Sequence, residues 1–356
     1  MKNIVLVTNK IFHYRIPVYN YFFDEFQKHG FNFIVLSNEI QKNNPNKINF
    51  KCHIIPFKYS LYAQKLKELS PCCVILFLHL KDVIFLKLVF WLKTKKIPII
   101  NWTHGVNLKD SNNKIKNSIF RLLHNLSDAI VLYSPNEKKY IKEKNYKKCF
   151  IANNTINFNI IEDIIESKKE IKEALNIKYE KVVLFVGRIL PQKRLDDLIE
   201  IFSTNANDDL GLVIVGPGLS EKQKEVIEQA KSITYLGEIY NSNEINRIHK
   251  MSDIFCIPGA NGLGLNLAMF WGLPCLTYKN SPHSPEIWYL KDSYNGYLLK
   301  ESTTKSLRAS IMKLLSNKDI LQKMSENAKK HILSEGSINK MFSGFHSAVD
   351  YCLKKS

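Results

Sequence analysis

Arg188 and Lys193 are the two side chains best suited to binding an anion. They lie five positions apart, directly after the apolar run Val182–Val186. A planar guanidinium and an ammonium group near the start of the next helix suit the oxygens of a diphosphate, and Gly187 lets the backbone approach such a ligand. The alternative is an ordinary basic surface loop of the same composition.

Glycines at the ends of further apolar runs could line the same site. The richest stretch, Pro258–Met269, follows a short apolar run and then turns helical, a pattern that exposes backbone N–H groups to a phosphate. Its glycine spacing is not that of the dinucleotide fingerprint, and the absence of a Walker A sequence argues against nucleoside triphosphate hydrolysis. Glycines are also common in turns that bind no ligand. The candidates in these loops are Gly187, Gly216, Gly218, Gly237, Gly259, Asn261, Gly262 and Leu263.

His104 is the candidate in the first half of the chain. It follows an apolar run in Asn101-Trp102-Thr103-His104-Gly105 and could hydrogen-bond a substrate hydroxyl or carbonyl. A single histidine is more often structural.

Short apolar runs alternate with segments of helical spacing, the pattern of parallel strands covered on both faces. Two series of such runs predict an α/β protein with two doubly wound, Rossmann-like domains facing across a cleft, with ligands at the carboxyl ends of the strands. We assign the domains to residues 1–159 and 160–356, and the last helix can pack back on the first domain. The boundary lies near Asn153–Asn159 or in a Lys/Glu-rich helix, Ile160–Leu175. The predicted strands are Ile4–Thr8, Phe31–Leu36, Val74–Leu78, Ile97–Asn101, Ala129–Tyr133, Val182–Val186, Gly211–Val215, Ile233–Leu236 and Ile254–Ile257.

The positive charge of the chain is concentrated in its first half. Lysine and arginine outnumber acidic residues by 51 to 33, and residues 1–160 alone hold 25 basic against 9 acidic side chains. This half is expected to meet an anionic partner, such as a phospholipid surface or a pyrophosphate-bearing substrate. The alternative is a lysine-rich solvated surface without a partner.

The chain has seven cysteines, an odd number, and they form neither a CxxC pair nor the spacing of zinc ligands. We therefore expect reduced thiols and no metal site. The apolar run in the opening segment MKNIVLVTNK is too short for the core of a signal peptide. No uncharged apolar stretch reaches the roughly 18 residues of a membrane span. We therefore expect a cytoplasmic protein, with peripheral attachment to the inner face of the membrane as an option.

The ordered set of these motifs resembles glycosyltransferase family 4, retaining enzymes of the two-domain GT-B fold that use nucleotide sugars. The segments that carry the resemblance are VLFVGRILPQKRLDDLI, LVIVGPG, ITYLGEI and SDIFCIPGANGLGLNLAMFWGLP, with looser matches in NWTHG, SDAIVLYS and IANNTIN. Members with a PGNxGL-like turn are the most similar. IFHYRIPVYNYF looks like a segment of bacterial surface-polysaccharide transferases.

The resemblance implies roles for individual residues. Arg188 and Lys193 would bind the donor diphosphate and stabilise charge on the leaving nucleotide, and His104 would lie beside the donor sugar. Gly216–Gly218 and Gly237–Tyr240 would border the base, so Tyr240 joins the donor-binding candidates. The co-substrate would be a UDP- or GDP-linked sugar, with no metal or other cofactor.

One departure concerns two glutamates that the family usually carries eight positions apart. Their positions fall on Gly259 and Leu267, and neither residue has a carboxylate. Asn261, Asn266 or Glu286 would then bind ribose or sugar hydroxyls instead. Without an evident nucleophile, a same-face displacement fits better than a double displacement through a glycosyl-enzyme.

The first half would hold the acceptor, a lipid-linked glycan of the polyprenyl-diphosphate type. Asp82–Lys96 reads as an apolar helix with lysines at its end, which suits an anionic membrane surface; a buried crossover helix is equally consistent. The residues assigned to membrane or acceptor binding are Arg15, Lys93, Lys95 and Lys96.

These observations favour a retaining glycosyltransferase of surface polysaccharide or lipopolysaccharide assembly. The alternative is a catalytically weakened scaffold or sugar-nucleotide-binding protein, for which the missing glutamates are the best argument. Nucleic-acid binding is suggested by charge alone, without a recognised module, and is not expected.

Overall fold

The computed structural model describes residues 1–42, 44–77, 83–107, 113–204 and 209–354. Leu78 of one predicted strand and Asp82 of the predicted apolar helix lie outside these ranges. The strands are β1 Lys2–Val7, β2 Lys10–Ile11, β3 Phe31–Ser37, β4 Glu39–Ile40, β5 Lys51–Ile54, β6 Pro71–Phe77, β7 Ile99–Thr103, β8 Ala129–Leu132, β9 Cys149–Ile151, β10 Lys181–Val186, β11 Leu210–Val215, β12 Ile233–Tyr235, β13 Ile254–Cys256, β14 Cys275–Tyr278 and β15 Gly296–Leu299. The α-helices are α1 Ile16–Lys28, α2 Tyr59–Leu69, α3 Val83–Thr94, α4 Lys114–Leu126, α5 Lys168–Ala174, α6 Leu195–Ser203, α7 Glu221–Gln229, α8 Ser242–Met251, α9 Gly264–Phe270, α10 Thr304–Ser316, α11 Lys318–Glu335 and α12 Ile338–Leu353.

The chain forms two compact units. The first contains Met1–Asn157 and Ser337–Ser356, and the second contains Phe158–Gly336. The first unit has 28 lysine and arginine residues against 10 acidic ones, while the second has 23 of each. The whole formal charge of +18 therefore belongs to the first unit.

The first unit is built on a parallel sheet in the order β5-β3-β1-β6-β7-β8-β9. In β1, Val5 pairs with Ile34 on β3 and with Val74 on β6. Helices α1 and α12 contribute Phe22 and Phe345 to the core on one face of the sheet. The second face is covered by α2 and α3. The strands are buried on both faces, which is why they read as continuous apolar runs.

The last helix of the chain, α12, packs on the sheet of the first unit. A Cβ at its Gly344 would overlap the carbonyl oxygen of Ile151 on β9, so a glycine is needed for this close approach. The end of the chain is thus part of the first unit's core, although the second unit precedes it in sequence.

The second unit is built on a parallel sheet in the order β12-β11-β10-β13-β14-β15. The strand order reverses between β10 and β13, which pair through Val183 with Ile254 and Leu184 with Phe255. In a doubly wound sheet, ligands bind at the carboxyl ends of the strands beside such a reversal. The prediction of two Rossmann-like parallel sheets with helices is confirmed.

The predicted helix Ile160–Leu175 is wrong in its first half. The α-helix α5 begins only at Lys168, because Ser167 caps it and exchanges hydrogen bonds with Glu170. Upstream, Glu166 is held in a bidentate ion pair by Arg247 on α8, with distances of 2.6 and 2.8 Å. Within the described ranges, no helix combines the length and the apolar character that crossing a membrane would need.

Candidate functional site

Three glycine-containing loops meet at the carboxyl ends of the second unit's strands. The N–H of Gly187 after β10 donates to the carbonyl of Val215, and the N–H of Gly216 after β11 donates to the carbonyl of Gly237. Gly187 and Gly216 have φ near +133°, and a Cβ on Gly216 would overlap the carbonyl oxygen of Gly187. These positions require glycine because the loops touch through their backbones. A Cβ on Gly218 would likewise lie 2.6 Å from the Ile189 oxygen.

Lys193 lies against these loops as a half-buried cation. Its Nζ is 3.0 Å from where a Cβ of Gly187 would be and 5.8 Å from the Phe185 ring centre. Burial lowers the pKa of Lys193 to about 8. Among the described residues, no carboxylate forms an ion pair with it. A buried charge without a counterion is costly, so an anion bound here would relieve that cost.

Arg188 differs from Lys193 because its side chain is exposed. It lies near the loop after β12, where the Tyr240 hydroxyl donates a 2.9 Å hydrogen bond to Glu238. That hydrogen bond raises the pKa of Tyr240, and the positive charge of Arg188 acts against the rise. Of the two predicted cations, Lys193 is half-buried against the loops, and Arg188 is exposed at their edge, where its charge acts on Tyr240.

The Pro258–Met269 turn packs directly on the Lys193 loop. The N–H of Gly259 donates to the Lys193 carbonyl at 3.0 Å, and the N–H of Ala260 donates to the Gln192 carbonyl at 2.8 Å. A Cβ at Gly259 would overlap the Gln192 oxygen. This packing gives a physical reason for the lack of a glutamate at position 259: the backbone conformation leaves no room for any side chain there.

Asn261 braces this turn from within. It is 3% exposed, and its Nδ2 lies within hydrogen-bond distance of the Ile257 and Gly259 carbonyls and of Thr277 Oγ1. The amide hydrogens are therefore used inside the turn. Binding of a ribose or sugar hydroxyl by Asn261 stays a prediction, and it would use the side-chain oxygen, which accepts hydrogen bonds.

His283 was missed by the sequence analysis and supports the same turn. Its Nδ1 accepts the N–H of Asn261 at 3.2 Å, and its Nε2 lies 2.8 Å from the Tyr278 carbonyl. Burial lowers the pKa of His283. The two contacts require a neutral ring protonated at Nε2, since Nδ1 must keep its lone pair. Nothing in the sequence pattern marks this histidine, which lies 22 positions from its partner.

The remaining candidates border the turn. A Cβ on Gly262 would lie at an ordinary 3.7 Å from Ser284 Oγ, and Leu263 precedes the first residue of α9. Glu286 is 3% exposed in the 3-10 helix Pro285–Tyr289, which is tied to the turn by the Ser284 N–H and the Asn261 carbonyl at 2.9 Å. Asn266, also buried, lies on α9. No group of three or more metal-ligating side chains occurs in the described part of the chain.

In the first unit, His104 follows β7 and is held by two neighbours. Its Nδ1 lies 2.8 Å from Glu137 Oε1, and its ring stacks on Tyr133 with centroids 4.1 Å apart. Tyr133 stacks in turn on Trp102 at 5.0 Å. His104 thus ends a column of rings at the carboxyl edge of the sheet, with its side chain 31% exposed.

Arg15 joins the other end of this column. Its guanidinium lies 4.8 Å from the Trp102 ring centre and 5.4 Å from that of Tyr14. Only 9% of Arg15 is exposed. The expectation that Arg15 contacts a membrane surface is therefore not supported by its position, because a buried guanidinium is not presented to lipid headgroups.

The apolar residues of helix α3 do not form the membrane-facing surface that one interpretation of the sequence predicted. Phe85, Leu88 and Leu92 are buried in the core of the first unit, and Phe90 is the apolar side chain exposed by this helix. Lys93 forms a 2.9 Å ion pair with Asp128, whereas Lys95 and Lys96 are exposed. The crossover-helix alternative describes α3, since an apolar run of this kind packs against a sheet.

Part of this chain is similar in sequence to known glycosyl transferases. Residues 167–331 match the family model of glycosyl transferases group 1. The uncharacterized glycosyltransferase MJ1069 of Methanocaldococcus jannaschii is 28% identical over 271 residues, which cover 70% of this chain and 66% of that protein's length.

Solved structures resemble the whole chain in fold. Anabaena Alr3699/HepE in complex with UDP gives a TM-score of 0.77 at 12% identity, covering 98% of this chain and 100% of that one. WaaG, a glycosyltransferase involved in lipopolysaccharide biosynthesis, gives 0.65 at 16% identity and covers 98% of both chains. At these identities the likeness establishes the fold. Residues 167–331 are therefore similar to glycosyl transferases group 1, and the chain has the two-domain fold of GT-B glycosyltransferases.

Proposed function

We propose that the chain is a retaining glycosyltransferase that moves a sugar from a nucleoside-diphosphate sugar to a lipid-linked glycan in surface polysaccharide synthesis. The observation that carries the donor half of this proposal is Lys193. It is a half-buried lysine without a carboxylate partner in the described chain, lying against glycine-lined loops at the strand-order reversal. A diphosphate supplies the missing negative charge, and the ammonium group then stabilises charge on the departing nucleotide.

The nucleotide part of the donor is supported by the loops around Lys193. Gly216, Gly218 and Gly237 leave the strand ends without side chains, as a flat base and ribose require. The exposed Arg188 adds a second cation at the edge of these loops, where its charge acts on Tyr240. The structural neighbour Alr3699/HepE was solved with UDP and with UDP-glucose, which makes a UDP-sugar the first donor to test.

Retention by a same-face displacement is the mechanism that these residues support. Position 259 has no space for a carboxylate nucleophile, and position 267 is a leucine. The donor's own phosphate would then help remove the acceptor proton while Lys193 neutralises the leaving group. His104, with Nδ1 engaged by Glu137, would offer its second ring nitrogen to a sugar hydroxyl.

A membrane-bound acceptor is supported by the charge and the surface of the first unit. This unit carries the whole excess of positive charge. On α4, Ile115 and Leu122 are 78% and 46% exposed between basic residues, and α3 adds the exposed Phe90. Exposed apolar side chains among lysines suit the headgroup region of an anionic bilayer. Helix α4 is thus better placed than α3 for this role.

The decisive experiment measures thermal unfolding of the whole chain with a panel of UDP- and GDP-sugars. A bound donor at about 100 times its Kd stabilises the folded state by about 2.7 kcal/mol, so Tm rises. Lys193→Met should abolish this rise, whereas Lys222→Met, at an exposed lysine of the same unit, should keep it. The proposal fails if no nucleotide sugar raises Tm, or if Lys193→Met responds like the unsubstituted chain.

The catalytically weakened scaffold remains the second candidate, because the family glutamates at positions 259 and 267 are missing. Turnover separates the two. A scaffold would be stabilised by a nucleotide sugar without releasing nucleoside diphosphate, in the presence or absence of acceptor. A transferase releases it, and the anomeric configuration of the product, read by NMR, then tests retention.

A further inference from the structure

A buried carboxylate fixes the imidazole of His104. Oε1 of Glu137 lies 2.8 Å from His104 Nδ1, and the Glu137 side chain is only 4% exposed. The other oxygen, Oε2, accepts the backbone N–H groups of Tyr133 at 2.7 Å and Ser134 at 3.2 Å. The Tyr133 ring stacks on the imidazole. One hydrogen bond and one ring face therefore determine where the imidazole lies.

The contact also determines which nitrogen carries the proton. An ionised carboxylate can only accept hydrogen bonds, so Nδ1 of His104 must hold the proton that points to Glu137. In the neutral imidazole the lone pair is then on Nε2. Nε2 makes no hydrogen bond to the described residues, and part of the side chain is exposed. A neutral His104 is thus prepared to accept a hydrogen bond at Nε2 from a ligand hydroxyl.

We propose that Glu137 is a positioning residue that keeps His104 in its Nδ1-protonated form, so that Nε2 accepts a hydrogen bond from a hydroxyl of the bound sugar. This inference rests on the proposed function for the identity of the ligand, but the form of the imidazole can be measured without turnover. Glu137 touches no ligand in this proposal; it acts through His104.

Glu137→Gln is the informative substitution because it changes hydrogen bonding with little change in shape. The carboxamide has one oxygen, and the N–H groups of Tyr133 and Ser134 both need an acceptor. Its NH₂ group must therefore face His104, where Nδ1 can only accept. The imidazole would then carry its proton on Nε2 and present a donor to the ligand instead of an acceptor.

The test combines ¹⁵N NMR of the histidine side chains in the whole chain at pH 8 with kinetics. The His104 signals are identified by their loss in His104→Ala, since the chain has ten histidines. We expect Nδ1–H in the unsubstituted chain and in the control Glu143→Gln, at an exposed glutamate of the 3-10 helix Glu143–Lys148. In Glu137→Gln we expect Nε2–H. Glu137→Gln should lower kcat by about 10- to 100-fold, the range typical when the hydrogen-bond partner that orients a metal-bound histidine is removed. KM for the donor should stay within about twofold.

Three results would overturn the inference. They are Nε2–H in the unsubstituted chain, Nδ1–H in folded Glu137→Gln, or a further loss of activity when Glu137→Gln is added to His104→Ala. The last result would mean that Glu137 does not act through His104. If the unsubstituted chain shows no turnover with any nucleotide sugar, the proposed function fails, while the NMR arm still decides whether Glu137 sets the form of His104.

Discussion

The backbone N–H of Gly259 donates a 3.0 Å hydrogen bond to the carbonyl oxygen of Lys193. This bond ties the glycine-rich turn to the loop that carries Lys193. It also brings Gly259 so close to the Gln192 carbonyl that no Cβ fits there. Position 259, where the sequence resemblance would lead one to expect a glutamate, thus holds the Lys193 loop in place through its backbone.

Gly259→Ala should therefore damage the protein, although alanine is a small residue. The added Cβ would push the turn away from Gln192 and Lys193, and overpacking of this kind costs about 1–3 kcal/mol of folding stability. Gly259→Glu, which adds a carboxylate at this position, should lose donor binding rather than gain activity. Urea denaturation and donor-induced change in Tm measure the two effects.

Gly262→Ala is the matched control in the same turn. A Cβ there would meet Ser284 Oγ at 3.7 Å, an ordinary van der Waals distance, and φ is not positive. Its stability should stay within about 1 kcal/mol of that of the unsubstituted chain. Equal stability of the two alanine variants would contradict the close packing at position 259.

The depressed pKa of Lys193 makes a prediction about donor binding at alkaline pH. Burial lowers this pKa to about 8, so the ammonium group is charged at neutral pH and loses its proton above pH 8. A diphosphate binds the charged form better. Affinity should be constant below pH 8 and should fall above it, by at most about tenfold per pH unit for a single proton.

Lys193→Met separates this effect from other titrations. An unfolded lysine keeps its proton to about pH 10.5, so between pH 8 and 10.5 the unfolded chain holds a proton that the folded chain lacks. The stability of the unsubstituted chain relative to the variant should therefore rise with pH across that window. Calorimetric titration of the donor and unfolding at several pH values provide the readouts. Parallel pH curves for the two proteins would argue against a role for Lys193.

His283 predicts a loss of stability on the acid side. Burial lowers its pKa, so the folded state favours the neutral ring, while the unfolded histidine takes up a proton near pH 6.5. The contribution of His283 is complete above pH 6.5 and declines as pH falls below it. His283→Leu should be less stable than the unsubstituted chain at pH 7.5, and this difference should shrink toward pH 5.

The fold could be predicted because its strands are buried on both faces. Runs such as Val182–Val186 are continuous in apolar residues, and the rule that ligands bind at the carboxyl ends of strands led directly to Lys193. The loops could be predicted from their glycines. At Gly216, for example, contact with the neighbouring backbone excludes a side chain, so the position requires glycine.

The supporting side chains could not be predicted in the same way. Glu137 lies 33 positions from His104, and His283 lies 22 positions from Asn261. Each pair meets only because two loops converge after separate strands, and no local pattern records that meeting. The apolar run of α3 was equally ambiguous in sequence, since a helix packed on a sheet and a helix lying on a membrane have the same composition.

Flotation with vesicles tests the lipid-linked acceptor, and the structure decides which lysines to change. Lys93 is unsuitable for charge reversal, because its 2.9 Å partner Asp128 would then face a second carboxylate. Lys95 and Lys116 are exposed and have no such partner among the residues that the structure describes. Each basic residue near an anionic surface contributes about 1 kcal/mol, so the pair Lys95→Glu and Lys116→Glu should reduce binding to phosphatidylglycerol vesicles by at least about tenfold.

The charge-matched control reverses two exposed lysines of the second unit, which has no net formal charge. This control, Lys222→Glu with Lys329→Glu, should leave flotation unchanged. Leu122→Ser on α4 should weaken binding at both low and high salt, because it removes an apolar contact that ions do not screen. The lysine changes, in contrast, should matter only at low salt. Two results would contradict membrane docking through the first unit. The unsubstituted chain could stay in the aqueous fraction at low salt, or the control pair could weaken flotation as much as Lys95→Glu with Lys116→Glu.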